Sequence, residues 1–346
     1  MINDNNIDLD WQKFKTKLVS DYKDMTLRRY EGVIILPIKI EFGVRSHIPF
    51  MGKTLTVHQV KFSKISSDEV VKKYEKVESF IQQYLSKYHF NVHNLIYLKF
   101  QVCAKDIDTA FHTAETAFQE YRSVYNLAID YAIFERQRYG LVTNLAEYPN
   151  SLGGISKDVE TKDEVKFYDL FLQSKYVELK KVEPLNRNLK NFNSIFKIAR
   201  KAEKSKLEKI LTECLTFYSN ALDSTYRMDC FFWLWRILEV GTNSKEKNNK
   251  EIMSLIQSKV QNEVYKIAGN LVVDMRNHFV HRGKTWEKDD KYINWARNYA
   301  IIVIEQLLLL QKAGFEEDLD ITNFYKFSNM DKKGRDKELK VIKFVK

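Results

Sequence analysis

The sequence predicts a mainly α protein, with an N-terminal α+β domain followed by a helical bundle. Three observations lead there. Gly and Pro are scarce, 11 and 4 in 346 residues, too few for an all-β chain with its many turns. Hydrophobic residues make up 44% and aromatics 13%, which supplies a substantial core and excludes a wholly disordered chain. Alternating, β-branched stretches are concentrated early in the chain, whereas apolar positions at spacings of three and four run through most of the remainder. At this length two domains are the natural division.

Taken in order, residues 31–62 read as strands: GVIILPIKIEFGVRS and TLTVHQVKFSKI alternate and are punctuated by Pro and Gly. SSDEVVKKYEKVESFIQQYLSKY opens on Ser/Asp capping residues and reads as a helix to about Tyr88. NLIYLKFQVCA (94–104) is one more strand, after which Asp106 or Asp108 opens a long amphipathic helix. Together these form the expected N-terminal domain, residues 1–150. Pro149 and the Gly153-Gly154 pair in TNLAEYPNSLGGISKDVETKDE (143–164) mark a linker or surface loop.

Beyond it the chain reads as helical almost throughout, giving a helical domain over 165–315. LNRNLKNFNSIFKIARKAEKSKLEKILTECLTFYSNAL holds two helices, and STYRMDCFFWLWRILEVG another, ended by Gly241 in the position expected of a C-cap. TNSKEKNNKE is a polar loop, and KDDKYINWARNYAIIVIEQLLLLQKAG supplies the last long helix. Residues 316–346 are read as a basic tail, peripheral or flexible.

The formal charge of +10 favours polyanionic partners such as nucleic acid, although a generally lysine-rich composition gives the same total. Cys103, Cys214 and Cys230 are widely spaced and form no CxxC pair, so neither a disulfide framework nor a cysteine zinc site is expected. The start, MINDNNIDLDWQ, lacks the pattern of a secretory signal. The most apolar run, YAIIVIEQLLLL (299–310), is interrupted by Glu305 and Gln306 and is too short to span a bilayer. A cytoplasmic protein without membrane association is expected.

The chemistry-bearing stretch is LVVDMRNHFVHRGKTW, residues 271–286, which places Arg276, Asn277, His278, His281 and Arg282 within seven positions. Arg276-x4-His281, with Asn277 directly after the arginine, resembles the R-x(4–6)-H motif of the HEPN superfamily. Upstream, ALDSTYRMDCFFWLWRILEVG resembles the aromatic-rich HEPN helix that ends in Leu-Glu, here Leu238-Glu239. The resemblance covers about 165–315. Two-part proteins ending in such a domain occur among prokaryotic antiphage and toxin ribonucleases, the Apea-like group included.

The resemblance implies a HEPN-type helical bundle and a metal-independent endoribonuclease that needs no cofactor. It implies cleavage to a 2′,3′-cyclic phosphate and a 5′-hydroxyl, in a cleft between the subunits of a homodimer. It also implies a role in antiphage defence by abortive infection, or as a toxin, with a defence-system protein as a further partner.

The residue types fit that chemistry on their own terms. Metal-free RNA cleavage needs a base for the 2′-hydroxyl, an acid for the leaving 5′-oxygen and a cation for the phosphorane. Histidine titrates in the right range, and a guanidinium clamps phosphate through paired donors. Arg276 is assigned the phosphate and His281 the proton transfers, with Asn277 orienting the imidazole or touching the phosphate. His278 competes with His281, and Glu239 and Arg282 are accessory candidates. Glu239 also reads as a helix-end carboxylate holding an arginine. Arg276, His278 and Arg282 equally suit a solvated helix end, where the macrodipole favours cations.

Positions five apart on a helix differ by about 140° in rotation, whereas 277 and 281 differ by about 40°. Either the segment breaks near Val280, or each site draws on two subunits; the resemblance implies the second. The alternative to an enzyme is an inactive HEPN module that binds RNA or a partner protein. A toxin regulated by nucleotidylation of a tyrosine two residues after the histidine is disfavoured, because Gly283 stands there.

Other features carry less. His89-x3-His93 precedes a strand and lacks a partner glutamate, so no metal site is assigned. Phe231, Phe232, Trp233 and Trp235 suit a core or a dimer interface. KNFNSIFKIARKAEKSKLEK suits a solvated face or one beside RNA. No P-loop, dinucleotide-binding glycine pattern, GxSxG or paired metal carboxylates occur.

Overall fold

The computed structural model describes residues 26–36, 55–57, 59–85, 93, 95–134, 154–161, 165–168, 195–199, 205–224, 226–244, 248–258, 263–282 and 290–345. The protein is mainly α. It divides into two compact units, one comprising Met1–Phe118 and Ser151–Leu179, the other Gln119–Asn150 and Lys180–Lys346.

The first unit is built on an antiparallel sheet of β1 (Arg28–Leu36), β2 (Leu55–Val57), β3 (Val60–Ile65), β4 (Ile96–Ala104), β5 (Gly154–Asp158) and β6 (Val165–Tyr168). The order is β2-β3-β4-β1-β5-β6. Two short helices follow β3: α1 (Ser67–Lys73) and α2 (Val77–Leu85). Ser66 caps α1, its hydroxyl accepting from the Glu69 amide at 3.2 Å, while Glu69 accepts from the Ser66 amide at 3.0 Å. That reciprocal box satisfies two otherwise orphaned donors. The single helix expected to Tyr88 is two helices over the described residues, because Tyr74 is extended and Lys76 adopts a left-handed φ of 65°, and no helix continues through either; residues 86–88 lie outside the described residues.

Helix α3 (Ile107–Phe134) begins after β4. Asp106 is its cap, accepting from the Thr109 amide at 2.7 Å. Asp108 instead receives Lys166 at 2.6 Å and the Tyr168 hydroxyl at 2.8 Å, which fastens the edge strand β6. Phe111 lies against Phe100 of the sheet and stacks on Tyr168, with ring centroids 3.9 Å apart in the latter pair. The opposite sheet face is covered over part of its area by α1 and α2, through Val33, Ile35, Val70, Tyr74, Val77, Ile81 and Tyr97.

The segment 143–164, read as a linker, contributes β5, and β6 lies where the helical domain was expected to begin. Gly154 does not make a turn: a Cβ there would sit 2.2 Å from the Val33 carbonyl oxygen and 2.6 Å from Phe111. The glycine permits close approach within the sheet. Residues 143–153 lie outside the described residues. The expected boundaries at 150 and 165 therefore do not coincide with the compact units, whose division falls within α3.

The second unit comprises the later part of α3 with α4 (Lys206–Asp223), α5 (Arg227–Gly241), α6 (Asn249–Gln257), α7 (Glu263–Arg282), α8 (Asp290–Ala313), α9 (Asp318–Asn329) and α10 (Lys332–Val345). Its core joins Leu211, Cys214, Leu215 and Tyr218 of α4 with Phe231, Leu234, Trp235 and Leu238 of α5 and Ala296, Tyr299, Val303 and Leu307 of α8, all buried. The later part of α3 brings polar side chains into this unit: Arg122 pairs with Asp223, and Ser123 lies 2.7 Å from Ser219. Burying a guanidinium is tolerable only with such a partner.

Gly241 is not the C-cap expected of it. It is the last helical residue of α5, and a Cβ there would meet Val303 at 2.3 Å. The left-handed residue is Asn243, with φ 51°. Its amide donates to the Val240 carbonyl, and the Ser244 amide donates to that of Glu239, completing a Schellman closure.

The 316–346 segment, read as a tail, forms α9 and α10. Ile321 and Tyr325 of α9 are buried, and Asn243 donates to the Asp318 carbonyl at 3.2 Å. Composition suggested a tail because charged residues outnumber apolar ones, yet two well-placed apolar residues suffice to dock a helix. Among the described residues no helix is long and apolar enough to cross a membrane.

Candidate functional site

Helix α7 carries the Arg276–Arg282 stretch. Its start and middle are shaped by packing: Ala268, Val272, Val273, Met275 and Phe279 are buried, at the three- and four-residue spacings of a helix with one face inward. Gly269 lets α7 approach α6, since a Cβ there would meet the Gln257 amide at 2.1 Å and Met253 at 2.9 Å. Near its end Phe279 wedges against α5, its ring 5.3 Å from that of Phe231 and 6.2 Å from that of Phe232. The aromatic cluster is thus partly core: Phe231 and Trp235 are buried, whereas Phe232 and Trp233 are half-buried and Trp233 stacks on Phe217.

Arg276 is half-buried. Among the described residues nothing forms an ion pair or hydrogen bond with it. A partly desolvated guanidinium whose donors meet no described acceptor is a natural receptor for an oxyanion. Asn277, also half-buried, is anchored: its Oδ1 accepts from the Asn249 side-chain amide at 2.7 Å. Asn249 opens α6, whose cap Asn248 accepts from the Glu251 amide at 3.0 Å. The anchor leaves the Asn277 NH2 group pointing its donors elsewhere, and a phosphate oxygen is a suitable acceptor. No sequence signal marks Asn249, which lies 28 residues upstream in what reads as a polar loop.

The helix does not break near Val280. It runs on through His281 to Arg282, so the first of the two ways of bringing 276 and 281 together is closed. Position 276 lies beside the buried stripe, and position 281 is about 140° further round the helix. His278 is half-buried, and its position is about 60° from that of 281. The side chains of His281 and Arg282 lie outside the described residues, as does Gly283.

Glu239 is held within its own helix. One oxygen accepts the Trp235 indole N–H at 2.9 Å and the other the Arg236 guanidinium at 2.8 Å. A carboxylate occupied on both oxygens is suited to bracing the α5 end. His93 lies near Ser67 and Asp68, at 3.3 and 3.7 Å, while His89 lies outside the described residues. Of KNFNSIFKIARKAEKSKLEK, the described part includes the buried Ile195, Ala199 and Leu207, so at least these positions face inward.

The outward face of α7 has a character of its own. Ile267 and Leu271 are 64% and 41% exposed, and positions 267, 271, 274, 278 and 281 fall within about 80° of one another on the helix. Two exposed apolar residues thus lead along one stripe to the two histidine positions. Comparison with protein-family models, curated proteins and solved structures finds no match to this chain.

Proposed function

We propose that the helical unit is a HEPN-type, metal-independent endoribonuclease acting as a homodimer, in prokaryotic antiphage defence or as a toxin. The observation that carries the reading is the pairing on α7 of a half-buried Arg276, free of ion-pair partners among the described residues, with Asn277 anchored by Asn249. A structural arginine at such depth is normally spent on a carboxylate or on carbonyls.

In this reading the 2′-oxygen attacks the adjacent phosphorus and the bond to the 5′-oxygen breaks. The 2′-hydroxyl proton passes to a base, and a proton is delivered to the leaving 5′-oxygen. His281 acts in these transfers. Arg276 and the Asn277 amide hold the non-bridging oxygens, where charge accumulates in the phosphorane. Since α7 is continuous, positions 276 and 281 of one chain stand about 140° apart on the helix, and a composite site between two copies relieves this. The stripe from Ile267 to position 281 supplies an apolar margin on which a second copy can seat.

Incubating the purified protein with total RNA in excess EDTA tests the reading. Discrete cleavage supports the enzyme. Binding without cleavage identifies the protein instead as an RNA-binding or adaptor module.

A further inference from the structure

The sheet of the first unit has two unlike faces. One face, carrying Tyr30, Gly32, Ile34 and Leu36 of β1 with Leu98, Phe100 and Val102 of β4, is buried along its length. The other is buried only where α1 and α2 cover Val33, Ile35, Tyr97 and Ile155. Beyond that cover the same face is mainly polar and basic, with Val159 and Val165 as its apolar margin at the β5–β6 edge.

The strand register assembles it from distant stretches of sequence. Lys61, Gln101, Glu31 and Lys157 stand in one row across β3, β4, β1 and β5. Arg29 and Cys103 are paired one step along. Lys99 also projects from this face, and Lys73 reaches it from α1. Those two are committed to Glu31, at 3.5 and 2.7 Å. Arg29 and Lys61 are exposed and Lys157 half-exposed, and among the described residues none of the three has an ion-pair partner. Five cations therefore surround one carboxylate.

We propose that this open end of the sheet binds the phosphate backbone of single-stranded RNA through Arg29, Lys61 and Lys157, with Gln101 between them. Lys61 and Lys157 are separated by three strand spacings, about 14 Å. Cations so far apart do not converge on one phosphate; they suit successive phosphates of a chain. The patch presents no aromatic ring among the described residues, so bases are not stacked as they are on many single-strand binders. Binding is therefore sequence-tolerant and steeply salt-dependent. The choice of RNA rests on the ribonuclease reading of the helical unit; the surface itself does not.

The test uses full-length protein carrying His281→Ala, so that RNA stays intact, and a labelled oligo(U) strand in EDTA over a range of salt. Adding Arg29→Gln, Lys61→Gln and Lys157→Gln should weaken binding at least tenfold. It should also flatten the plot of log affinity against log salt by about 2, three contacts at about 0.7 each for a single strand. Oligo(U) should slow thiol labelling of Cys103, the exposed cysteine, and the triple variant should lose that protection. Its unliganded labelling rate and melting temperature should match the parent's, which shows the sheet intact. Unchanged affinity and salt slope, or a loss confined to duplex DNA, overturns the proposal. A wild-type protein that binds oligo(U) on this face yet never cuts RNA sinks the ribonuclease reading and leaves the surface standing.

Discussion

At the scale of single residues the proposed activity turns on Arg276, Asn277 and His281. His281→Ala should reduce RNA cleavage at least about 10²-fold, the usual scale for removing an acid–base group, with the melting temperature unchanged. If His278→Ala is the inactive variant instead, the proton-transfer role belongs to His278, whose position lies on the same outward stripe. Arg276→Lys keeps the charge but loses the bidentate fork. Turnover should drop about 10²-fold or more, as when one preorganised transition-state donor is removed. RNA affinity should move much less, since other cations share the phosphate contacts. Affinity that collapses while bound RNA is still cut at the normal rate would make Arg276 a binding residue. No change in either would make it a solvated helix-end cation. Arg276 and Asn277 stand out in the sequence because motif and spacing are local. Asn249 does not, because an asparagine among other polar residues acquires its role only when α6 folds back beside α7.

At the scale of elements, glycines and cysteines separate what periodicity can predict from what packing decides. Helices α3, α5 and α8 are legible from apolar spacing, and β1, β3 and β4 from alternation. Strand β5 is not: GISKD is short, and its buried Ser156 and Asp158 look like loop residues until neighbouring strands enclose them. Gly241 sits where a C-cap would be expected from sequence, yet its lack of a side chain serves the approach of α8. The two readings predict opposite signs. In a merely helical position Gly241→Ala would stabilise by up to about 1 kcal/mol. Against Val303 it should destabilise by about 1–3 kcal/mol, the usual range for overpacking, read from denaturant midpoints at constant slope. A thiol reagent makes a second test. Burial pushes the Cys214 thiol up and the Cys230 thiol up to about 12, so at pH 8 thiolate is scarce at both. The exposed Cys103 should react promptly and the other two only on unfolding; labelling of all three in the native protein would contradict the packing of α4 against α5.

At the scale of the whole molecule, the proposed site on a continuous α7 needs a second copy of the helical unit. The protein should run as a dimer, burying well over about 1,000 Å² if the contact is specific. Charge at Ile267 or Leu271 should weaken dimer and cleavage together. Full activity in a strictly monomeric protein at nanomolar concentration would contradict the composite site. The most direct measurement is of the product ends. A defined RNA is cut in excess EDTA by wild type and by His281→Ala, and the fragments are analysed. Only the wild type should cut efficiently, leaving 5′-hydroxyls and 2′,3′-cyclic phosphates that resist ligation until the ring is opened. A requirement for added magnesium, or products with 5′-phosphates, would contradict the proposed activity.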